Sequence, residues 1–209
     1  WPKRIRSGAN NKNMRLKDFA YNLPRELIAQ QPMKPRDQSR LLVLDRISGE
    51  IKHQHFFDLV NYLREGDVLV LNNTKVMPAR LIGKKAETGG KVEVFLLKKN
   101  PPYPPLLKRA SEVWQCLIGG KKRKEKSRVE FAHGLKAEIL KNNHDGTWNV
   151  KFNKSGAVFM KIVKSIGRVP LPPYIKRSAF AKNSRDRQNY QTVYADETKL
   201  GSVAAPTAG

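Results

Sequence analysis

Between residues 76 and 152 the chain alternates short apolar stretches with turn residues, and this limits its fold more than any other feature. Lys91-Val92-Glu93-Val94 alternates strictly, as a strand with one buried face does. Thr88-Gly89-Gly90 just before it is a hairpin signal. Further strands are expected over residues 113–118, 128–131, 135–140 and 148–152, separated by Gly, Asn and Asp turns. Many short strands at such spacing predict a small antiparallel barrel. Residues 100–105 hold four prolines in six positions and are expected to form an irregular loop, because proline fixes φ and removes a backbone donor.

The flanking segments read differently. Leu23-Pro24-Arg25-Glu26-Leu27-Ile28-Ala29-Gln30 predicts a short helix with Pro24 near its first turn, where a missing N–H is harmless. Leu41-Leu42-Val43-Leu44 predicts a buried strand, turned at residues 45–49, with Ile51 opening its partner. Residues 56–63 have helical apolar spacing that ends before Gly66. Val68-Leu69-Val70-Leu71 is apolar on both faces, as a strand covered on both sides would be. Beyond the barrel, Val158, Phe159, Ile162, Val163 and Ile166 are helically spaced, with Gly167 as the stop. Pro170-Leu171-Pro172-Pro173-Tyr174 is expected to be extended. The order is α/β, then β, then α/β, a barrel inserted into another domain. The corresponding expectations are an upstream or disordered segment over 1–13, the first part of an α/β domain over 14–75, the barrel over 76–156, and the second part over 157–209, truncated at its C-terminal end. Met14 makes a better start than Trp1.

Hydrophobic residues make up 39% of the chain, enough for a core. No apolar run approaches the ~18 to 20 residues of a membrane span. Residues 1–13 carry Lys3, Arg4, Arg6 and Lys12 without a long apolar stretch, unlike a secretory signal. Cys116 is the one cysteine, which excludes an internal disulfide and Cys-rich zinc sites and suits a reducing cytosol. Lys plus Arg number 41 against 18 Asp plus Glu, a net charge of +23. Such an excess favours a polyanionic partner, because each phosphate neutralised releases counterions. In the densest run, Lys121-Lys122-Arg123-Lys124-Glu125-Lys126-Ser127-Arg128, a solvated loop and an RNA contact both remain open.

Common cofactor motifs are missing: no G-x-G-x-x-G follows a strand, and no P-loop or G-x-S-x-G elbow occurs. His53 and His55 could share a strand face but lack an obvious third metal ligand. Three polar stretches remain. Asn72-Asn73-Thr74 follows the predicted strand 68–71, where polar side chains could line a ligand crevice or cap a turn. Arg80, close behind, could take a phosphate or carboxylate bidentately or form a surface ion pair. In Asp186-Arg187-Gln188-Asn189-Tyr190-Gln191-Thr192-Val193-Tyr194, Tyr190 and Tyr194 would share a face if helical. They could stack on bases or be half buried with their hydroxyls paired. The small-residue run from Gly201 to Gly209 would let backbone approach a ligand or pack elements tightly.

Read in order, these stretches resemble one family, the S-adenosylmethionine:tRNA ribosyltransferase-isomerases of queuosine biosynthesis. The resemblance rests on Met14-Arg15-Leu16-Lys17-Asp18-Phe19 with Leu23-Pro24 and Leu27-Ile28-Ala29-Gln30, then on Arg36-Asp37 with Ser39-Arg40-Leu41-Leu42-Val43-Leu44-Asp45. It continues through Gly66-Asp67-Val68-Leu69-Val70-Leu71-Asn72-Asn73-Thr74, Pro78-Ala79-Arg80-Leu81 and Gly89-Gly90-Lys91-Val92-Glu93. Residues 170–177, residues 190–195 and Ala204-Ala205-Pro206-Thr207-Ala208-Gly209 complete it.

That resemblance implies an α/β fold, an α/β/α sandwich with an inserted antiparallel β-barrel, the sandwich being incomplete in this chain. It implies S-adenosylmethionine as ribosyl donor and no metal. The partner implied is tRNA carrying 7-aminomethyl-7-deazaguanine in the anticodon, and the products are epoxyqueuosine-tRNA, adenine and methionine. A cytoplasmic enzyme, monomeric at full length, is expected. Asn72, Asn73, Thr74 and Arg80 would bind substrate, and Asp186, Tyr190, Gln191, Thr192 and Tyr194 would line the cleft. Pro206, Thr207 and Gly209 would form its small-residue wall. Asp186 is the acid among these and the candidate base, although the resemblance assigns no base. Members of the family continue past the Pro-Thr-Ala-Gly segment, and residues 1–13, 100–105 and 119–126 depart from their pattern. A non-catalytic basic RNA-binding module is the alternative. A generic methyltransferase fits less well without a glycine-rich loop.

Overall fold

The computed structural model describes residues 15–100, 112–121, 123–176 and 184–206. The chain divides into two compact units, Trp1–Gln30 and Gln31–Gly209. In the first, Leu16–Phe19 and Arg25–Leu27 form single 3-10 turns, and no described residue is buried. The helix expected over 23–30 is thus reduced to one turn: Pro24 caps it, and Ile28 is already extended (φ −87°, ψ 104°). The segment 1–13 lies outside the described residues.

The second unit is organised around a barrel. Strands β1 (Arg40–Leu44) and β2 (Ile51–His55) pair antiparallel and lead into a 3-10 helix, Phe56–Tyr62. Strand β3 (Lys75–Val76) precedes β4 (Arg80–Lys85), β5 (Lys91–Lys99), β6 (Glu112–Gly119), β7 (Arg128–Glu130), β8 (Lys136–Asn142) and β9 (Trp148–Phe152). The last six close into a barrel in the order β4-β5-β6-β9-β8-β7, as the alternation predicts. The β4–β5 turn contains the expected Thr88-Gly89-Gly90, with Gly89 at φ +67°. Apart from Glu112 at the start of β6, inward positions are apolar: Val92, Val94 and Leu96 from β5, Trp114, Cys116 and Ile118 from β6, and Trp148, Val150 and Phe152 from β9. Burial pushes the Cys116 thiol far up, so it behaves as a small hydrophobe rather than a nucleophile. Of the proline-rich loop, residues 101–105 lie outside the described residues.

Helix α1 (Gly156–Ile166) is the one long helix among the described residues. It inserts Phe159, fully buried, against Phe152 at 4.9 Å and Trp114 at 5.7 Å between ring centroids. One such side chain stabilises by about 1.5–3 kcal/mol. Its N-terminus is held by Glu112, a buried carboxylate that accepts from Gly156 N (2.7 Å), Lys99 Nζ (2.7 Å) and Trp114 Nε1 (3.0 Å). Burial alone would raise this carboxyl, and the donors more than offset it, leaving its pKa below the ordinary 4.5. A depressed carboxylate pKa stabilises the fold above the unfolded-state value and loses that contribution as pH falls through the folded one. Glu112→Gln is therefore expected to cost about 1–3 kcal/mol at neutral pH. It should also remove part of the wild-type stability loss below about pH 4.5 in urea titrations.

Four expectations need correction. Residues 68–71 form no strand, and Val68 and Val70 are 86% and 84% exposed. The apolar run is there, but no described element pairs with it. Residues 41–44 do form a strand, yet Leu42 and Leu44 lie exposed on one face rather than buried. The segment 170–174 is not fully extended: Ile175 N donates to Pro172 O at 3.0 Å, closing a turn. Proline's φ suits the second position of a turn as well as an extended run. Finally, α2 (Ser184–Asn189) ends before Tyr190, so Tyr190 and Tyr194 do not share a helical face.

Candidate functional site

Strand β10 (Leu200–Ser202) runs parallel to β3, pairing Leu200 with Lys75 and Ser202 with Val76. Met77 N donates to Ser202 O at 2.8 Å. Successive residues of a strand send their backbone groups to opposite edges, so the N–H and C=O of buried Val76 face away from β10. The Gln191 carboxamide takes both: Val76 N to Oε1 is 2.8 Å and Gln191 Nε2 to Val76 O is 3.0 Å. Gln191 thus stands where a further strand would pair.

Three more contacts fasten the same two segments. Asp196 N donates to Asn73 O at 3.0 Å, Thr192 Oγ1 to Asn72 O at 3.4 Å, and Lys75 Nζ pairs with Glu197. Asn72 Oδ1 accepts from Thr74 N (2.9 Å) and Thr74 Oγ1 (2.7 Å), closing an Asx turn. Asn72, Asn73, Thr74, Gln191 and Thr192 are therefore gathered into one place. Among the described residues, the Asn73 carboxamide and the hydroxyls of Tyr190 and Tyr194 have no hydrogen-bond partner. These groups remain available to a ligand.

Other candidates lie elsewhere or are otherwise engaged. Arg80 sits on β4 with Nε 2.7 Å from Glu93 Oε1, and its backbone bridges Arg168 in both directions (3.1 and 2.9 Å). Asp186 is buried on α2, and its carbonyl accepts from Tyr190 N at 2.9 Å. Pro206 is half buried, whereas Thr207 and Gly209 lie outside the described residues. His55 belongs to the turn ahead of the 56–62 helix: its N–H donates to Asp58 Oδ2 at 3.0 Å, and its ring stacks on Phe57. Among the described residues, no cluster of three His, Cys, Asp or Glu could hold a metal, and no helix is long and apolar enough to cross a membrane. Two shallow cavities of about 390 and 460 Å³ lie on the barrel wall and include none of these residues.

Two arginines matter here to which sequence reasoning gave no role. Arg36 donates NH1 to Asn189 O (3.1 Å) and NH2 to Gln191 O (3.0 Å), fixing the chain on which Gln191 and the tyrosines stand. Arg187 donates to the Lys164, Ser165 and Gly167 carbonyls at 2.7, 3.4 and 2.8 Å. It thereby caps the C-terminal end of α1, where a cation also suits the helix dipole. Both partners are backbone carbonyls remote in sequence, and no local pattern announces them. Arg36→Ala is expected to destabilise by about 1–3 kcal/mol. Amide exchange should quicken around residues 189–192 while the barrel strands keep their protection.

The model of the queuosine biosynthesis protein family matches residues 16–209. A similar solved structure is the S-adenosylmethionine tRNA ribosyltransferase from Thermotoga maritima, 34% identical over 76% of this chain, with a TM-score of 0.32. The chain spans 52% of that protein's length. With a family match over nearly its whole length, this chain belongs to the queuosine biosynthesis protein family.

Proposed function

We propose that the chain takes part in transferring and isomerising the ribosyl moiety of S-adenosylmethionine onto 7-aminomethyl-7-deazaguanine in tRNA. The family match supports a role in making queuosine, and the name of the Thermotoga protein supports a tRNA ribosyltransferase. The observation that carries the site assignment is the joining of residues 72–77 to residues 189–202 through Gln191 and Val76. Asn73, Tyr190 and Tyr194 belong to the segments so joined, and among the described residues the Asn73 carboxamide and the two tyrosine hydroxyls have no hydrogen-bond partner. In this reading Gln191 and Arg36 are positioning residues, and Asn73, Tyr190 and Tyr194 meet the nucleoside. Residues 14–75 and 157–209 are parts of an α/β/α sandwich around a barrel over 76–156. The exposed apolar run 68–71 has the composition of a covered strand in such a sandwich.

The sulfonium of S-adenosylmethionine acidifies the ribose C5′–H, so a positioned base can take that proton. Ring opening expels adenine, the aminomethyl nitrogen attacks the ribose carbon, and epoxide closure releases methionine. The protein's share is alignment of two large substrates and exclusion of water. The test is incubation of the protein with S-adenosylmethionine and precursor tRNA. Adenine and methionine in equal amounts are expected. S-adenosylhomocysteine would show methyl transfer instead, and RNA binding without either product would favour a non-catalytic RNA-binding module, the reading that the net charge of +23 also suits.

A further inference from the structure

Among the described residues, the β6–β7 connection and the base of the β4–β5 hairpin bring six lysines to one end of the barrel. Lys84 and Lys91 are register partners on β4 and β5, both exposed. Like charges placed opposite one another destabilise a sheet. Lys85 Nζ donates to Lys121 O at 2.9 Å, tying the hairpin to the connection. Gly120 lies so near Lys91 O that a Cβ there would meet it at 3.3 Å. Lys126 is fixed in the left-handed region at φ +62° by its N–H donating to Ile139 O at 2.7 Å. Lys121, Lys124 and Lys126 are exposed, and among the described residues their side chains form no ion pair.

Three nearby acids are occupied. Glu125 Oε1 accepts from Asn142 N (2.9 Å), Glu87 Oε1 from Arg128 N (3.2 Å), and Glu130 pairs with Lys136 (2.8 Å). Glu125 thus holds the loop to the backbone of β8, and no ion pair joins any of these three acids to Lys121, Lys124 or Lys126. A concave surface of about 460 Å³ opens beside them, lined by Lys84, Lys91 and Glu130 among others. A loop pinned in shape with Lys121, Lys124 and Lys126 exposed loses little conformational entropy on meeting a row of phosphates, and counterion release supplies the driving force.

We propose that this end of the barrel is a docking surface for the phosphate backbone of RNA, holding substrate at a distance from the site around Gln191. The partner rests on the tRNA reading above; the surface rests on the lysines themselves. The test compares RNA binding over a salt series by the wild type, Lys121→Gln/Lys124→Gln/Lys126→Asn, and Lys154→Gln/Lys161→Gln/Lys164→Gln, which removes the same charge elsewhere. Circular dichroism melting checks that each variant is folded. The loop variant should bind at least about tenfold more weakly and lower the slope of log affinity against log salt by about 2–3, and the control variant by much less. Equal effects from both variants would overturn the proposal, as would tighter binding to phosphatidylserine vesicles than to RNA. A second readout in the wild type needs no variant: RNA should shield Lys121, Lys124 and Lys126 from acetylation, and unchanged labelling there would also overturn it. Adenine release, measured alongside, separates the two claims. Turnover with an indifferent loop refutes only the docking surface, and loop-dependent binding without adenine refutes only the ribosyl-transfer reading.

Discussion

Gly167→Ala is expected to destabilise the fold by about 3–5 kcal/mol, a cost in the range reserved for overpacked cores and broken backbone junctions. A Cβ at this position would overlap the carbonyl oxygen of Pro78 and lie 2.6 Å from that of Val163. Both are backbone atoms and cannot swing aside as a side chain would. Conformation is not the difficulty, because Gly167 has φ −69° and ψ 152°, open to any residue. The constraint is closeness: α1 ends here against the buried stretch Val76, Met77 and Ala79 that leads into β4. Gly167 O also accepts from Arg187, so the strain would reach α2. Gly66 is the natural control, with φ +90° and nothing within 4 Å of a Cβ. Gly66→Ala should cost only the left-handed penalty, about 1–2 kcal/mol. Urea unfolding of the two variants distinguishes crowding from conformation; similar costs would show that Gly167 is not closely packed.

Gln191→Leu should cost about 2–5 kcal/mol, because it leaves both backbone groups of buried Val76 without partners. The side chain is similar in size, so the loss would come from hydrogen bonding and not from a cavity. Gln191→Glu makes the point sharper. A carboxylate can accept from Val76 N but has nothing to donate to Val76 O, and two oxygens would face one another. It should therefore be no better than leucine at neutral pH and should improve as acid protonates it. Under the ribosyl-transfer reading, both variants also weaken S-adenosylmethionine binding, since Asn73 and the tyrosines lose their common footing. Denaturation and ligand titration of the same samples check the two effects together. Full stability in Gln191→Leu would mean that the clamp on Val76 contributes nothing.

The barrel was legible because its strands keep one face in and one face out, and alternation reports that arrangement directly. Val92, Val94 and Leu96 show the pattern and are buried as it requires. The run 68–71 illustrates what such patterns leave open: four apolar residues state that a strand would be suited to cover on both sides, but not what covers it. Gly167 was recognisable as a helix stop, while its actual reason, a backbone contact with Pro78, depends on a segment 89 positions earlier in the chain. Asn72-Asn73-Thr74 carried two readings, and the Asx turn at Asn72 meets one of them without consuming Asn73. Gln191 was named as a cleft residue through the family resemblance; its engagement with Val76, 115 residues away in sequence, follows from tertiary structure alone. Arg36 was hidden more completely still, since a guanidinium that binds two main-chain carbonyls leaves no complementary residue type to notice.

Hydrogen exchange with and without S-adenosylmethionine tests the central claim most directly, because the amides of Val76, Met77 and Asp196 report on the junction itself. Bound nucleoside should slow exchange over residues 72–77 and 189–202 and leave the interior barrel strands β5 and β6 unchanged. Protection confined to the barrel, with the junction unaffected by a saturating ligand, would contradict the placement of the site.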